Sequence, residues 1–148
     1  MTRRPLPARD ARARAPGQVR IIGGRWRGSK LPVTGVEGLR PTADRVRETL
    51  FNWLQAEVAG ARAIDLFAGS GALGFEAASR GAAQVDLVEA SPRAAAALRD
   101  SVARLSATGP ARDGASDGGV IVVHHADALA FLAAAARAGH TWDLAFVD

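Results

Sequence analysis

Apolar positions along this chain follow two periods, and the switches between them mark the elements. Val19-Arg20-Ile21-Ile22-Gly23-Gly24 and Lys30-Leu31-Pro32-Val33 are short strand-like runs around the Gly-rich connection Arg25-Trp26-Arg27-Gly28, which predicts a hairpin. Leu39-Arg40-Pro41-Thr42 then leads into a helix. Pro41 disfavours helix at Arg40, Thr42 is placed to cap, and Asp44 falls in the first turn. Val46, Leu50, Trp53, Leu54 and Val58 recur at helical spacing, so they predict one buried face, with Phe51 and Trp53 in the core and Gly60 as the stop.

From residue 63 onward, short apolar runs alternate with longer helical stretches. Ala63 to Phe67 predicts a buried parallel strand, and Ala72 to Ser79 a helix ending near Arg80-Gly81. Gln84 to Glu89 predicts a strand. Ser91-Pro92 supplies a cap and first-turn proline for a helix to about Leu105. Ser106 to Gly119, rich in Gly, Ser, Asp and Pro, predicts a surface loop. Val120 to Val123 predicts a third strand, and Ala128 to Ala138 a helix with Leu129 and Leu132 inward and Gly139 beyond it. Leu144 to Asp148 predicts a fourth strand. The order β-α-β-α-β-α-β predicts an α/β fold around a parallel sheet.

Candidate chemistry sits where strands end. Gly69-Ser70-Gly71 between the first parallel strand and its helix forms a turn in which backbone comes close to a ligand and a helix N-terminus offers free N–H groups. Gly69, Gly71 and Gly74 satisfy G-x-G-x-x-G, so a dinucleotide such as NAD is one candidate. Asp65, which ends that strand two residues before the turn, argues for a cationic ligand instead. S-adenosylmethionine (SAM) carries a sulfonium and an ammonium and no phosphate. Glu89, closing the next strand, is placed to accept from both hydroxyls of a ribose. Asp127, after the third strand, is placed to accept from an adenine amino group. Asp65, Glu89, Asp127 and Asp148 are thus expected along one crevice at the C-terminal edge of the sheet, where ligands of open α/β sheets bind. His124 and His125 lack a third ligand nearby and are expected to be structural or surface residues, so no metal site is expected.

Charge divides the chain. Residues 1–47 hold 12 Lys/Arg against 3 Asp/Glu, and residues 48–148 hold 7 against 12, which gives +9 and −5. This predicts a nucleic-acid-facing arm on a separate body. Trp26 between Arg25 and Arg27 could stack on a base while its neighbours hold phosphates, or could simply pack on the domain. Arg20, Arg25, Arg27 and Lys30 are the candidate phosphate contacts. Residues 1–18, rich in Pro, Ala and Arg, are expected to be a disordered basic tail, 19–41 a hairpin-like extension and 42–148 the main domain. With 148 residues and no cysteine, the chain has room for one core and no thiolate metal site or disulfide. No apolar run is long enough to span a bilayer, and no signal peptide is evident, so a cytoplasmic protein without a membrane partner is expected.

From Val19 to Asp148 the sequence resembles the RsmD-type bacterial 16S rRNA guanine-N2 methyltransferases. The resemblance rests on Arg20-Ile21-Ile22-Gly23-Gly24-Arg25-Trp26-Arg27-Gly28, on Leu39 to Asn52 (LRPTADRVRETLFN), and on Asp65-Leu66-Phe67-Ala68-Gly69-Ser70-Gly71-Ala72-Leu73-Gly74. The last run is common to many methyltransferases, and the first two are more specific. The resemblance implies a Rossmann-like class I sheet with SAM as cofactor. Asp65, Gly69 and Gly71 would hold its methionine side, Glu89 the ribose and Asp127 the adenine, with Thr42 and Arg45 closing the site. The basic arm, with Arg40 and Arg47 beside it, would engage 16S rRNA or the small ribosomal subunit, the enzyme acting as a monomer. Asp148 would be the catalytic residue, opening an Asp-Pro-Pro-Phe motif of which only the aspartate is present. The chain therefore reads as an N-terminal fragment that does not itself methylate RNA. An NAD-type oxidoreductase and a non-catalytic RNA-binding module are the alternatives.

Overall fold

The computed structural model describes residues 17–33, 43–108 and 119–148. The basic tail up to residue 16, Arg40, Thr42 and most of the expected 106–119 loop lie outside them. Strands β1 (Gln18–Arg20) and β2 (Lys30–Pro32) pair antiparallel, with Val19 opposite Leu31, as the hairpin reading expects. Helices α1 (Asp44–Trp53) and α2 (Gln55–Val58) follow, then β3 (Arg62–Asp65), α3 (Ala72–Ser79), β4 (Gln84–Glu89), α4 (Pro92–Ser106), β5 (Val120–His125), α5 (Ala128–Arg137) and β6 (Leu144–Phe146). The last four strands form one parallel sheet in the order β5-β4-β3-β6. The chain steps outward from β3 to β5, then crosses back to lay β6 on the other side of β3. That reversal of direction opens a crevice at the C-terminal ends of β3 and β6.

Side chains alternate across the sheet and feed two apolar layers. Ala63, Val85 and Leu87 join Phe75 of α3, Leu98 and Leu105 of α4, and Phe51 of α1 on one face. Ile64 and Val88 join Ala128, Phe131, Leu132 and Trp142 on the other. Val19, Ile21, Trp26 and Leu31 of the hairpin region belong to the first layer. The described hairpin of the basic arm is thus seated in the main core.

Several expected positions moved. The leading helix breaks at Leu54; Phe51 and Val58 are buried and Leu50 and Leu54 pack against the core as expected, but Arg47 is buried where Val46 and Trp53 were expected. Val46 is 57% and Trp53 78% exposed. A buried guanidinium at 47 turns the helix so that the i, i+4 pair Arg47–Phe51 faces inward and Trp53 faces out. Ala43 stands at the N-cap of α1 and makes no side-chain cap bond, and the expected cap Thr42 lies outside the described residues. In α5, Ala128, Phe131, Leu132 and Ala135 make the inward stripe, at i, i+3, i+4 and i+7, and this leaves Leu129 outside. β5 runs two residues further than expected, through both histidines.

Candidate functional site

The glycine turn after β3 is built as the sequence suggests. Gly71 has φ +82°, and a Cβ there would meet the Phe75 ring at 2.5 Å and Leu98 at 2.8 Å, so neither conformation nor space admits a side chain. Gly69 has φ +57° with open space around it. Its N–H donates to Glu89 Oε2 at 2.8 Å, and the Ser91 N–H donates to Glu89 Oε1 at 3.0 Å. Glu89 therefore ties the turn after β3 to the start of α4, with its carboxylate at the sheet edge. Ser91 caps α4 by accepting from Ala94 N–H.

Asp65 closes β3 and is almost wholly buried. Its Oδ2 accepts from Gly74 N–H at 3.3 Å, and its Oδ1 is buried with no hydrogen-bond partner. Burial raises its carboxyl pKa to about 7, the nearby backbone N–H groups of Gly74 and Phe67 oppose that shift, and the negative charges of Asp148 and Glu89 add to it. The charges of Glu89 and Asp148 thus reach Asp65 at one edge of the sheet. Asp127 lies further round, after β5, where its Oδ2 caps α5 by accepting from Ala130 N–H at 3.0 Å. Arg45 is exposed on α1, and Asp148 is exposed beyond β6.

The basic arm is sorted by burial. Arg20, Arg27 and Lys30 are exposed, and their side chains are available to a polyanion. Trp26 is not available for base stacking: it is 5% exposed and packs in the core. Arg25 lies half-buried with its guanidinium 5.3 Å from the Trp26 ring. Arg47, expected to contact RNA, is fully buried. Its Nη1 donates to the Arg20 carbonyl at 3.0 Å and lies 3.8 Å from Glu76 Oε2, and its Nη2 pairs with Asp44 at 2.5 Å. A guanidinium held this way binds the fold together and cannot reach a phosphate.

Sequence reasoning passed over Glu76 and Ser79. Both lie on α3, all eight residues of which are buried. The clue was available: Glu76 is the one ionisable residue in Ala-Leu-Gly-Phe-Glu-Ala-Ala-Ser, a run with no polar face to carry it. The histidines are accounted for by local partners. His124 Nε2 lies 2.9 Å from Asp86 Oδ1, and His125 Nε2 lies 3.0 Å from the Ala90 carbonyl. Trp142 Nε1 donates to the other Asp86 oxygen at 2.8 Å. Asp86, His124, Phe131 and Trp142 help line a groove of about 430 Å³ beside α5.

Residues 19–148 match the family model described as Conserved hypothetical protein 95. Ribosomal RNA small subunit methyltransferase D of Escherichia coli is 48% identical over 132 residues, covering 89% of this chain and 60% of its own length. The chain belongs to the RsmD family. It spans 60% of the length of that relative. The RsmD fold is also evident in three dimensions. A solved Escherichia coli protein described as a methyltransferase is 45% identical with a TM-score of 0.63, over 79% of this chain and 57% of that one. A Streptococcus mutans protein described as a SAM-dependent methyltransferase is 25% identical with a TM-score of 0.57, over 90% of this chain and 33% of that one. The α/β, Rossmann-like class I methyltransferase fold implied by the RsmD resemblance is therefore the fold of this chain.

Proposed function

We propose that this chain carries the cofactor-binding part of a SAM-dependent methyltransferase that modifies the exocyclic N2 of a guanine in small-subunit rRNA. The observation that carries the reading is Asp65. A buried carboxylate with one unpartnered oxygen, beside a glycine turn and a helix N-terminus, fits an ammonium or sulfonium and repels a pyrophosphate. This favours SAM over NAD. The turn geometry fits as well, because Gly69 has open space beside it that a close ligand can use. When bound, SAM supplies an electrophilic methyl group.

In this reading each of the chain's own site residues has a role. Asp65, with Gly69 and Gly71, holds the methionine end. Glu89, already oriented by Gly69 and Ser91 N–H, has lone pairs left to accept from ribose hydroxyls. Asp127 accepts from the adenine amino group while capping α5, and Arg45 with Thr42 closes the site. Asp148 accepts hydrogens from the guanine amino group. That nitrogen is a poor nucleophile because its lone pair is delocalised into the ring, and hydrogen-bonding its hydrogens holds it pyramidal with the lone pair directed outward. This is positioning more than proton abstraction. Arg20, Arg27 and Lys30 bind rRNA phosphates.

The relatives' names support the rRNA substrate, and the E. coli relative is itself named for the small subunit. Two measurements test the reading. Calorimetric titration should give SAM binding that NAD does not compete with, and NAD binding in its place would favour the oxidoreductase. Tritiated-methyl transfer by the full-length gene product should label small-subunit rRNA and fail on a transcript with inosine, which lacks the N2 amino group, at every guanine. Equal labelling of both transcripts would exclude N2.

A further inference from the structure

Glu76 is the least expected charge in the molecule. It is fully buried in the middle of α3. An isolated buried carboxylate is costly, so its partners explain why it is there. Its Oε2 accepts from Ile22 N–H at 2.9 Å and its Oε1 from Gly23 N–H at 3.0 Å. Oε1 also accepts from Arg80 Nε at 2.9 Å, and Oε2 lies 3.8 Å from Arg47 Nη1. These donors come from three separate stretches: the arm, α1 and the end of α3 itself.

Ser79, one turn further along α3, repeats the pattern without charge. Its Oγ accepts from Trp26 N–H at 2.9 Å and donates to the Gly23 carbonyl at 2.6 Å, while its own carbonyl accepts from Arg25 N–H at 2.8 Å. The backbone of residues 22–26 is therefore held at five points by two side chains and one carbonyl of the helix whose N-terminus follows the glycine turn. The exposed cations Arg20, Arg27 and Lys30 flank that held backbone. Arg47 adds a second link, because it bonds the Arg20 carbonyl while facing Glu76.

We propose that Glu76 is a positioning residue for RNA: it seats the arm on the cofactor-binding helix so that Arg20, Arg27 and Lys30 are presented together at a fixed place relative to the cofactor site. This rests on the reading of the arm as the RNA-binding element. Glu76 does not touch RNA or cofactor, so its effect must pass through the three cations. Glu76→Gln keeps the shape but turns one acceptor into a donor facing N–H groups. Ser79→Ala removes the second pin with no change of charge.

The test is a double-mutant cycle on the binding of a small-subunit rRNA transcript, with SAM affinity measured on the same samples. The backgrounds are the parent and a variant in which Arg20, Arg27 and Lys30 are all alanine. In the parent background, Glu76→Gln should weaken RNA binding about tenfold or more and leave SAM affinity within about twofold. In the triple-alanine background the same substitution should cost almost nothing further, because residues that act through one another are non-additive. Ser79→Ala should behave the same way with a smaller loss, which keeps the test decisive if Glu76→Gln does not fold. A residue that only stabilises the fold would lower the fraction of competent protein and leave both dissociation constants alone. Unchanged RNA affinity in the SAM-binding variants, or equal losses in both backgrounds, would overturn the proposal. A parent that binds RNA no better than its triple-alanine variant would instead overturn the reading of the arm.

Discussion

At the scale of single residues, Asp65 sets the pH behaviour. Its carboxyl titrates near pH 7 in the folded protein against an ordinary value of 3.8. Between those two values the folded state holds a proton that the unfolded chain has released. Folding stability from this group therefore falls as pH rises from about 4 to about 7 and levels off above. A cationic ligand prefers the ionised form, so SAM affinity should move the opposite way. It should weaken by about tenfold per unit as pH drops below the folded pKa and be flat above it. Asp65→Asn should abolish that dependence and weaken SAM binding by roughly ten- to a hundredfold at pH 8. Calorimetric titrations of both proteins between pH 5.5 and 8.5, by steps of about one unit, check the pair of slopes. Asp65 was legible in the sequence because an acid closing an apolar run has few structural reasons to be there. Trp26 and Arg47 were not. Tryptophan between arginines looks the same whether it stacks on a base or fills a core, and an arginine on a basic arm gives no hint that a glutamate 29 positions later will bury it. Arg47→Ala should accordingly cost about 3–5 kcal/mol in denaturant unfolding, since it strips a partner from the buried Glu76.

At the scale of elements, the parallel strands and their helices came through the sequence with boundaries nearly intact. α3 runs from Ala72 to Ser79 and β4 from Gln84 to Glu89, both as periodicity and turn residues predict. Where periodicity failed, a tertiary partner had overruled it. α1 buries Arg47 and Phe51 instead of its most apolar stripe because Glu76 and the Arg20 carbonyl claim the guanidinium. The hairpin, too, was visible as two strands and a Gly-rich connection, but its seat was not. Gly24 shows how close that seat is: it has φ +80°, and a Cβ there would fall 2.0 Å from the Ser79 carbonyl oxygen. Gly24→Ala should unseat the turn at a cost of about 1–3 kcal/mol from the left-handed backbone alone. Hydrogen exchange should show the amides of Ile22, Gly23 and Trp26 losing protection while those of β3 and β4 keep theirs.

At the scale of the whole molecule, charge separation is real in sequence and reorganised in space. Of the cations proposed for RNA that lie among the described residues, Arg47 is consumed by the fold and Arg25 lies against Trp26, while Arg20, Arg27 and Lys30 face solvent. Replacing those three with alanine should flatten the logarithmic salt dependence of RNA binding by about 2, at roughly 0.7 for each lost single-strand contact. Filter binding between low and moderate salt reads that slope directly. The same seating has a consequence in time. The contacts that bind Ile22, Gly23 and Trp26 to α3 close over 53 or 54 residues of chain. A ribosome adding about 5–20 residues per second therefore needs roughly 3–10 s after making the arm before its seat exists. During that interval Val19, Ile21, Trp26 and Leu31 have no core to enter. Until α3 emerges, the nascent arm exposes apolar strand residues whose partners are not yet made, which makes it a segment that chaperones would protect.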